Sequence, residues 1–289
     1  MSTIAAPDAH RGPYPLGYSS EEFVRLERQG AFLRDLTEDV LRRAGLGDGM
    51  SVLDIGCGVG DVSLLAAEMV GPGGAVLGID RSVESIDLAR RRADAAGRDW
   101  IQFAATELET FSTAQRFDAV IGRLVLMYLP DPAAALRKLC GFVRPGGIIA
   151  FQEMAMPLAR SVPEGPLCRT CVDWILDVFA RMGVEIDMGG KLFATFLRAG
   201  LSAPQMILAG RAEGGPNSFA YDYRRHDPQP VACARARGRH DCRGGRNRHA
   251  GRPVAARGAR GGCLLHAAAL GRRLDPYART AKRHREPSP

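Results

Sequence analysis

The chain has 289 residues, 46% of them hydrophobic, and a formal net charge of +7 at pH 7; this supports a sizeable core and excludes a wholly disordered chain. No apolar run approaches the roughly 18 residues that suggest a membrane span, and no basic and apolar leader is evident, so a cytoplasmic protein is expected. Residues 221–289 carry 17 Lys and Arg against 5 Asp and Glu, leaving 22 against 27 in residues 1–220, so the mildly acidic first part gives no electrostatic reason to hold nucleic acid.

Residues 1–13 hold Pro7, Gly12 and Pro13 with little periodicity and read as a tail. Ser19-Ser20-Glu21-Glu22 then offers a helix cap, and Phe23, Leu26, Ala31, Leu33, Leu36, Val40 and Leu41 recur at helical spacing, which predicts one or two helices. Next comes the stretch around which the chain is organised. Val52-Leu53-Asp54-Ile55 reads as a buried parallel strand, runs into Gly56, Gly58 and Gly60, and is followed at once by helical text over 62–70. Glycines permit a tight turn and a close approach of a ligand to the main chain, and the amides opening the next helix face that ligand.

A second strand, 75–80, ends in Asp80, where a ribose hydroxyl pair would need an acceptor. Residue 61 is Asp, so the dinucleotide pattern Gly-x-Gly-x-x-Gly is not met, and a smaller nucleoside ligand is expected. Helix 83–96, strand 100–104, strand 119–121, helix 132–142 and strand 148–151 continue the alternation. This predicts an α/β fold, a doubly wound parallel sheet with helices on both faces and ligands at the carboxyl ends of its strands. Residues 156–200 turn helical, clearest over 171–182 and 191–199, with Trp174, Phe179 and Phe193 as a partial cover over an acceptor pocket; 204–208 reads as a strand returning to the sheet. The seven cysteines show no disulfide framework, and free thiols are expected; Cys168-Arg169-Thr170-Cys171 is a single Cys-x-x-Cys without a second pair.

Leu53 to Gly60, Gly78-Ile79-Asp80-Arg81-Ser82, Phe117-Asp118-Ala119-Val120 and Arg144-Pro145-Gly146-Gly147 together resemble the class I S-adenosylmethionine-dependent methyltransferases, over about residues 14–219. The resemblance implies a Rossmann-like, mostly parallel sheet, S-adenosyl-L-methionine as cofactor and a small-molecule acceptor, with oligomeric state left open. It divides the chain into a tail and helical lid (1–48), a cofactor-binding core (49–155), a helical substrate lid with a returning strand (156–220) and a basic tail (221–289). The cofactor contacts it implies are Gln29 from the lid, with Tyr14 and Tyr18 beside it, then Asp54, Gly56, Cys57, Gly58, Gly60, Asp80, Arg81 and Ser82. Thr106, Glu107 (where the family more often has Asp) and Leu108 would meet the adenine. Gly122 and Arg123 would lie by the methionine part, Arg123 either pairing with its carboxylate or making a structural ion pair. Methyl transfer needs positioning more than a fixed triad; should the acceptor have to lose a proton, Glu153, Tyr128 and Tyr18 are candidate bases. No metal-ligand cluster is seen in residues 1–220, and none is expected.

The family's sheet needs one more antiparallel strand beside the fifth, after residue 220. There the text becomes rich in Arg, Gly, Ala and His, with Cys263-Leu264-Leu265-His266 as its one apolar cluster, so this strand is expected to be missing. The tail can be a basic nucleic-acid-binding segment, although it lacks interleaved aromatics. It can be a zinc site on Cys233, Cys242 and Cys263, although the gaps match no ligand spacing. It can also be out of frame: synonymous codons for residues 226–250, read one nucleotide later, allow TIRSLLPVLERVAVTTAAEVGIDTL, an amphipathic helix, turn and helix. The first of these makes an RNA-associated protein with a methyltransferase-like scaffold the alternative function; the third leaves the activity of the chain open.

Overall fold

In a computed structural model, residues 20–163 and 165–214 and the backbone of 261–271 are described. Among the described residues one helix, α1 (Ser20–Ala44), precedes the glycine stretch. Then follow β1 (Ser51–Ile55), α2 (Asp61–Val70), β2 (Ala75–Asp80), α3 (Val83–Ala95), β3 (Ile101–Ala105), β4 (Phe117–Arg123), α4 (Pro132–Cys140) and β5 (Val143–Met154). Beyond them lie β6 (Arg160–Val162), α5 (Pro166–Arg181), α6 (Met188–Arg198), β7 (Gln205–Gly214) and β8 (Gly261–Gly271). Local chemistry sets several of these boundaries. Ser82 caps α3 by accepting the Ser85 amide, and Asp131 caps α4 by accepting that of Ala134 with Pro132 just inside the helix.

Strands β3, β2, β1, β4 and β5 lie side by side in that order and all parallel, with Asp54 level with Gly78 and Ile121, and Arg123 level with Gln152. Alternate residues of each strand therefore face opposite cores. Val52, Val76, Ile121, Ile148 and Ala150 meet α1, α2 and α3 through residues such as Leu41, Leu65 and Ile86. Leu53, Ile79, Val120, Ile149 and Phe151 meet α4 and α6 through Leu136, Leu139, Leu192 and Phe196. Burial on both faces explains why these strands read as continuous apolar runs rather than alternating ones.

The expected loss of the last strand is corrected. Residues 261–271 occupy that place as β8, antiparallel to β5 over Met154↔His266 to Ile149↔Gly271 and antiparallel to β7 along its whole length. Alanine-rich text has weak strand propensity, but two open ladders, one on each side, outweigh it; such propensity is decided largely by context. The short strand β6, in a region read as helical, pairs with the first residues of β8. Tyr14, Tyr18, the first tail and the readings for 221–260 and 272–289 fall outside the described residues, as do the side chains of Cys168, Cys171 and Cys263.

Candidate functional site

The carboxyl ends of β1, β2, β4 and β5 lie on one edge of the sheet, and they carry Asp54, Gly56, Asp80, Gly122, Arg123 and Glu153. The turn after β1 holds itself together through main-chain bonds: Cys57 N donates to Ile79 O (3.0 Å) and Gly60 N to Cys57 O (2.9 Å). Its glycines serve different ends. A Cβ on Gly56 would stand 2.6 Å from Val125 Cγ2, whereas one on Gly58 would meet nothing within 4 Å among the described residues, which leaves the main chain open to an incoming group at Gly58. Both have positive φ, +62° and +53°, where glycine is favoured.

Asp80 faces this turn. Its Oδ2 accepts the Gly58 amide at 2.9 Å and its Oδ1 accepts that of Ser82 at 2.9 Å, so the second strand's acid is fixed against the glycine loop by backbone donors. Arg81 is exposed and Ser82 is buried as the cap of α3. Beneath the loop Asp54 is 1% exposed; its Oδ2 accepts from Ser63 Oγ (2.6 Å), and its Oδ1 has no partner among the described residues. Burial pushes Asp54 up to about 7 against the opposing effects of the Ser63 hydrogen bond and Arg123, with Asp80 and Asp61 adding to the rise. Burial also drives the Cys57 thiol up, so this cysteine is a small space-filling group and not a thiolate nucleophile.

Arg123 points back between two helices. Its Nη1 donates to Thr37 Oγ1 of α1 (3.1 Å) and its Nη2 lies 4.0 Å from Asp61 Oδ2 at the start of α2. Burial lowers its pKa, with Asp61 and Asp54 pulling the other way. Thr37 Oγ1 is also 2.7 Å from Gln152 Oε1, so α1, β4 and β5 share one buried polar cluster. Helix α1 is drawn close as well: a Cβ on Gly30 would stand 2.4 Å from the Asp61 carboxyl carbon. Its neighbour Gln29 is half-buried on the same helix.

Across the sheet, the Thr106 amide donates to the Asp80 carbonyl (2.8 Å), Glu107 is exposed, and the Leu108 carbonyl accepts from Lys138 Nζ (2.8 Å). Gly122 is buried, and a Cβ there would meet the Phe151 ring at 2.6 Å, which explains a glycine in mid-strand. Of the candidate bases, Tyr128 is half-buried in the short helical turn after β4, whereas Glu153 is wholly buried. Of the three aromatic residues expected to cover an acceptor pocket, Trp174 and Phe193 are exposed and Phe179 packs on the α4–α6 core. Thr37 and Asp61 were missed by sequence reasoning. Thr37 carried a usable signal, since it stands between Leu33 and Leu41 on the buried face of α1, where a polar residue needs a partner.

A family described as "Methyltransferase domain" matches residues 46–180. Trans-aconitate 2-methyltransferase of Azoarcus sp. (strain BH72) is 34% identical over 45% of this chain and 48% of its own. Aklanonic acid methyltransferase DauC of Streptomyces sp. (strain C5) is 38% identical over 42% of this chain and 53% of its own. The chain thus spans about half the length of these curated relatives. Among solved structures, the YcgJ protein of Bacillus subtilis matches 82% of this chain and 99% of its own with a TM-score of 0.55 at 15% identity, a likeness of fold.

Proposed function

We propose that this chain, whose residues 46–180 match a methyltransferase domain family, is a class I S-adenosylmethionine-dependent methyltransferase that transfers a methyl group from S-adenosyl-L-methionine to a small-molecule acceptor. The observation that carries the reading is Asp80 held against Gly58 at the carboxyl edge of a parallel sheet. Open space at Gly58 suits a ligand laid on the main chain, and a buried oxygen of Asp54 without a partner among the described residues suits a cationic or hydrogen-bonding group above it. On this reading Asp80 accepts from the ribose hydroxyls, Thr106 to Leu108 border the adenine, and Gly122, Arg123 and Asp54 border the amino-acid part. Bound there, the cofactor supplies a methyl group already activated by its sulfonium.

The chain's own residues then have two tasks, to hold the acceptor in line and to exclude water. The core over 49–155 would do the first, with α1 and the helices of 156–220 covering the edge. Tyr128, half-buried in the turn after β4, is the candidate for moving a proton from the acceptor. The small-molecule class draws support from the relatives named for trans-aconitate and aklanonic acid. The RNA-associated alternative rests on residues 221–289 and is not favoured.

Calorimetric titration with S-adenosyl-L-methionine tests the reading. Saturable binding is expected, weakened about thirtyfold in Asp80→Ala by loss of charge-assisted hydrogen bonds worth about 2 kcal/mol. A folded protein that does not bind, or an Asp80→Ala variant that binds unchanged, overturns it.

A further inference from the structure

We propose that Glu153 is a positioning residue that fixes the chain leaving β4, so that Val125 closes on Gly56, and that it is not the proton acceptor of the reaction. This rests on the functional reading above only for its consequence, cofactor affinity. Gln152 and Glu153 point to opposite faces of β5, the first toward Thr37 and the second toward the turn after β4. Glu153 is 0% exposed, and its Oε1 accepts two successive amides, those of Val125 (3.0 Å) and Leu126 (2.8 Å).

The segment it grips needs gripping. Leu124, just before it, has φ +56°, a conformation rare for a non-glycine residue and held only where the surroundings impose it. Its amide is bound by the Gln152 carbonyl at 2.9 Å, so β5 holds residues 124–126 by both main chain and side chain. From the other side, Glu185 N donates to Met127 O at 2.8 Å. Val125 is thereby set against Gly56, where its methyl group leaves no room for a Cβ. A base must reach the acceptor's proton. One Glu153 oxygen, Oε1, is already taken by two amides, and the other, Oε2, is sealed from solvent with no hydrogen-bond partner among the described residues, so neither is open to an acceptor.

Burial lifts the Glu153 carboxyl to about 7, with the Leu126, Val125 and Met127 amides opposing. Near neutral pH its role therefore needs an acceptor oxygen at this reach, which a Gln carboxamide also provides. Hydrogen exchange at the Val125 and Leu126 amides, read beside titration with S-adenosyl-L-methionine, separates reach from charge. Glu153→Gln is expected to keep amide protection and cofactor affinity within about threefold. Glu153→Asp keeps the charge but draws the oxygen back by one methylene; it should raise exchange at 125 and 126 and weaken the cofactor by about tenfold, the worth of one hydrogen bond.

The reverse order, with Asp like the wild type and Gln exposed, overturns the proposal, as does protection at 125 and 126 that neither variant alters. A wild-type protein that fails to bind the cofactor sinks the functional reading alone, because the exchange pattern still decides the role of Glu153.

Discussion

The sheet has two unlike halves. From β3 to β5 every strand but the edge is buried on both faces, with Val120, Ile121, Ile149 and Phe151 at 2% exposure or less. In β7 exposed residues alternate with half-buried ones, leaving Met206 and Leu208 open to solvent, and the strand is tied to α1 through Arg211, which pairs with Asp35 and stacks on Phe32. The first half carries the glycine turn, Asp80, Arg123 and Glu153. Rigid placement of a site and two-sided burial go together here, since a side chain is held to a fraction of an ångström only where neighbours on every side oppose its movement.

Substitutions can break this contrast. Phe151→Ala should cost about 3–5 kcal/mol, because a fully buried ring leaves a cavity between Gly122 and the α4–α6 core; chemical denaturation measures it. Acidity tests the same half in another way. Asp54 and Glu153 have folded pKa values raised to about 7 from 3.8 and 4.5. Their contribution to stability is therefore fully present below about pH 4 and is lost as the pH rises through 7, by on the order of 3–4 kcal/mol per group at most. Comparing urea midpoints at pH 5.5 and 8 in the wild type and in Asp54→Asn should reveal a smaller drop in the variant.

Gly56→Ala should cost about 1–3 kcal/mol through its positive φ and the clash with Val125, read as a lowered melting temperature. At the small end, Leu208→Ala, with that side chain 61% exposed, should shift stability by less than about 0.5 kcal/mol. A loss as large as that of Phe151→Ala would show that the two halves are covered alike.

The same contrast separates what was legible in the sequence from what was not. The runs 52–55, 75–80 and 119–121 announce themselves because strands buried on both faces are apolar throughout and are punctuated by glycine and acid at fixed places. The glycine turn and Asp80 were legible as a pair for the same local reason. Strand β8 was not, because what makes Gly261–Gly271 a strand is the two ladders beside it, from residues at least 47 positions earlier. Glu153 was found as a residue of interest, but its burial and its two amide partners depend on how the chain after β4 folds back. Asp61 belongs to the same class, since its partners Arg92 and Arg123 come from α3 and β4 and reach it only in the folded chain.

The place of β8 also bears on the order of events during synthesis. Strands β1 to β5 can pair as they leave the ribosome, but β7 finds its described strand partner in β8 alone, and residues 215–260 must be made before that partner exists. Until then the outer edge of β5 offers an unpaired row of amides and carbonyls, and a nascent chain is most exposed to edge-to-edge association in this interval. Closing so long a connection adds only a slowly growing entropic cost. The vulnerability is one of timing, and a chaperone or slower translation late in the message would act on it where a stabilising substitution in the core would not.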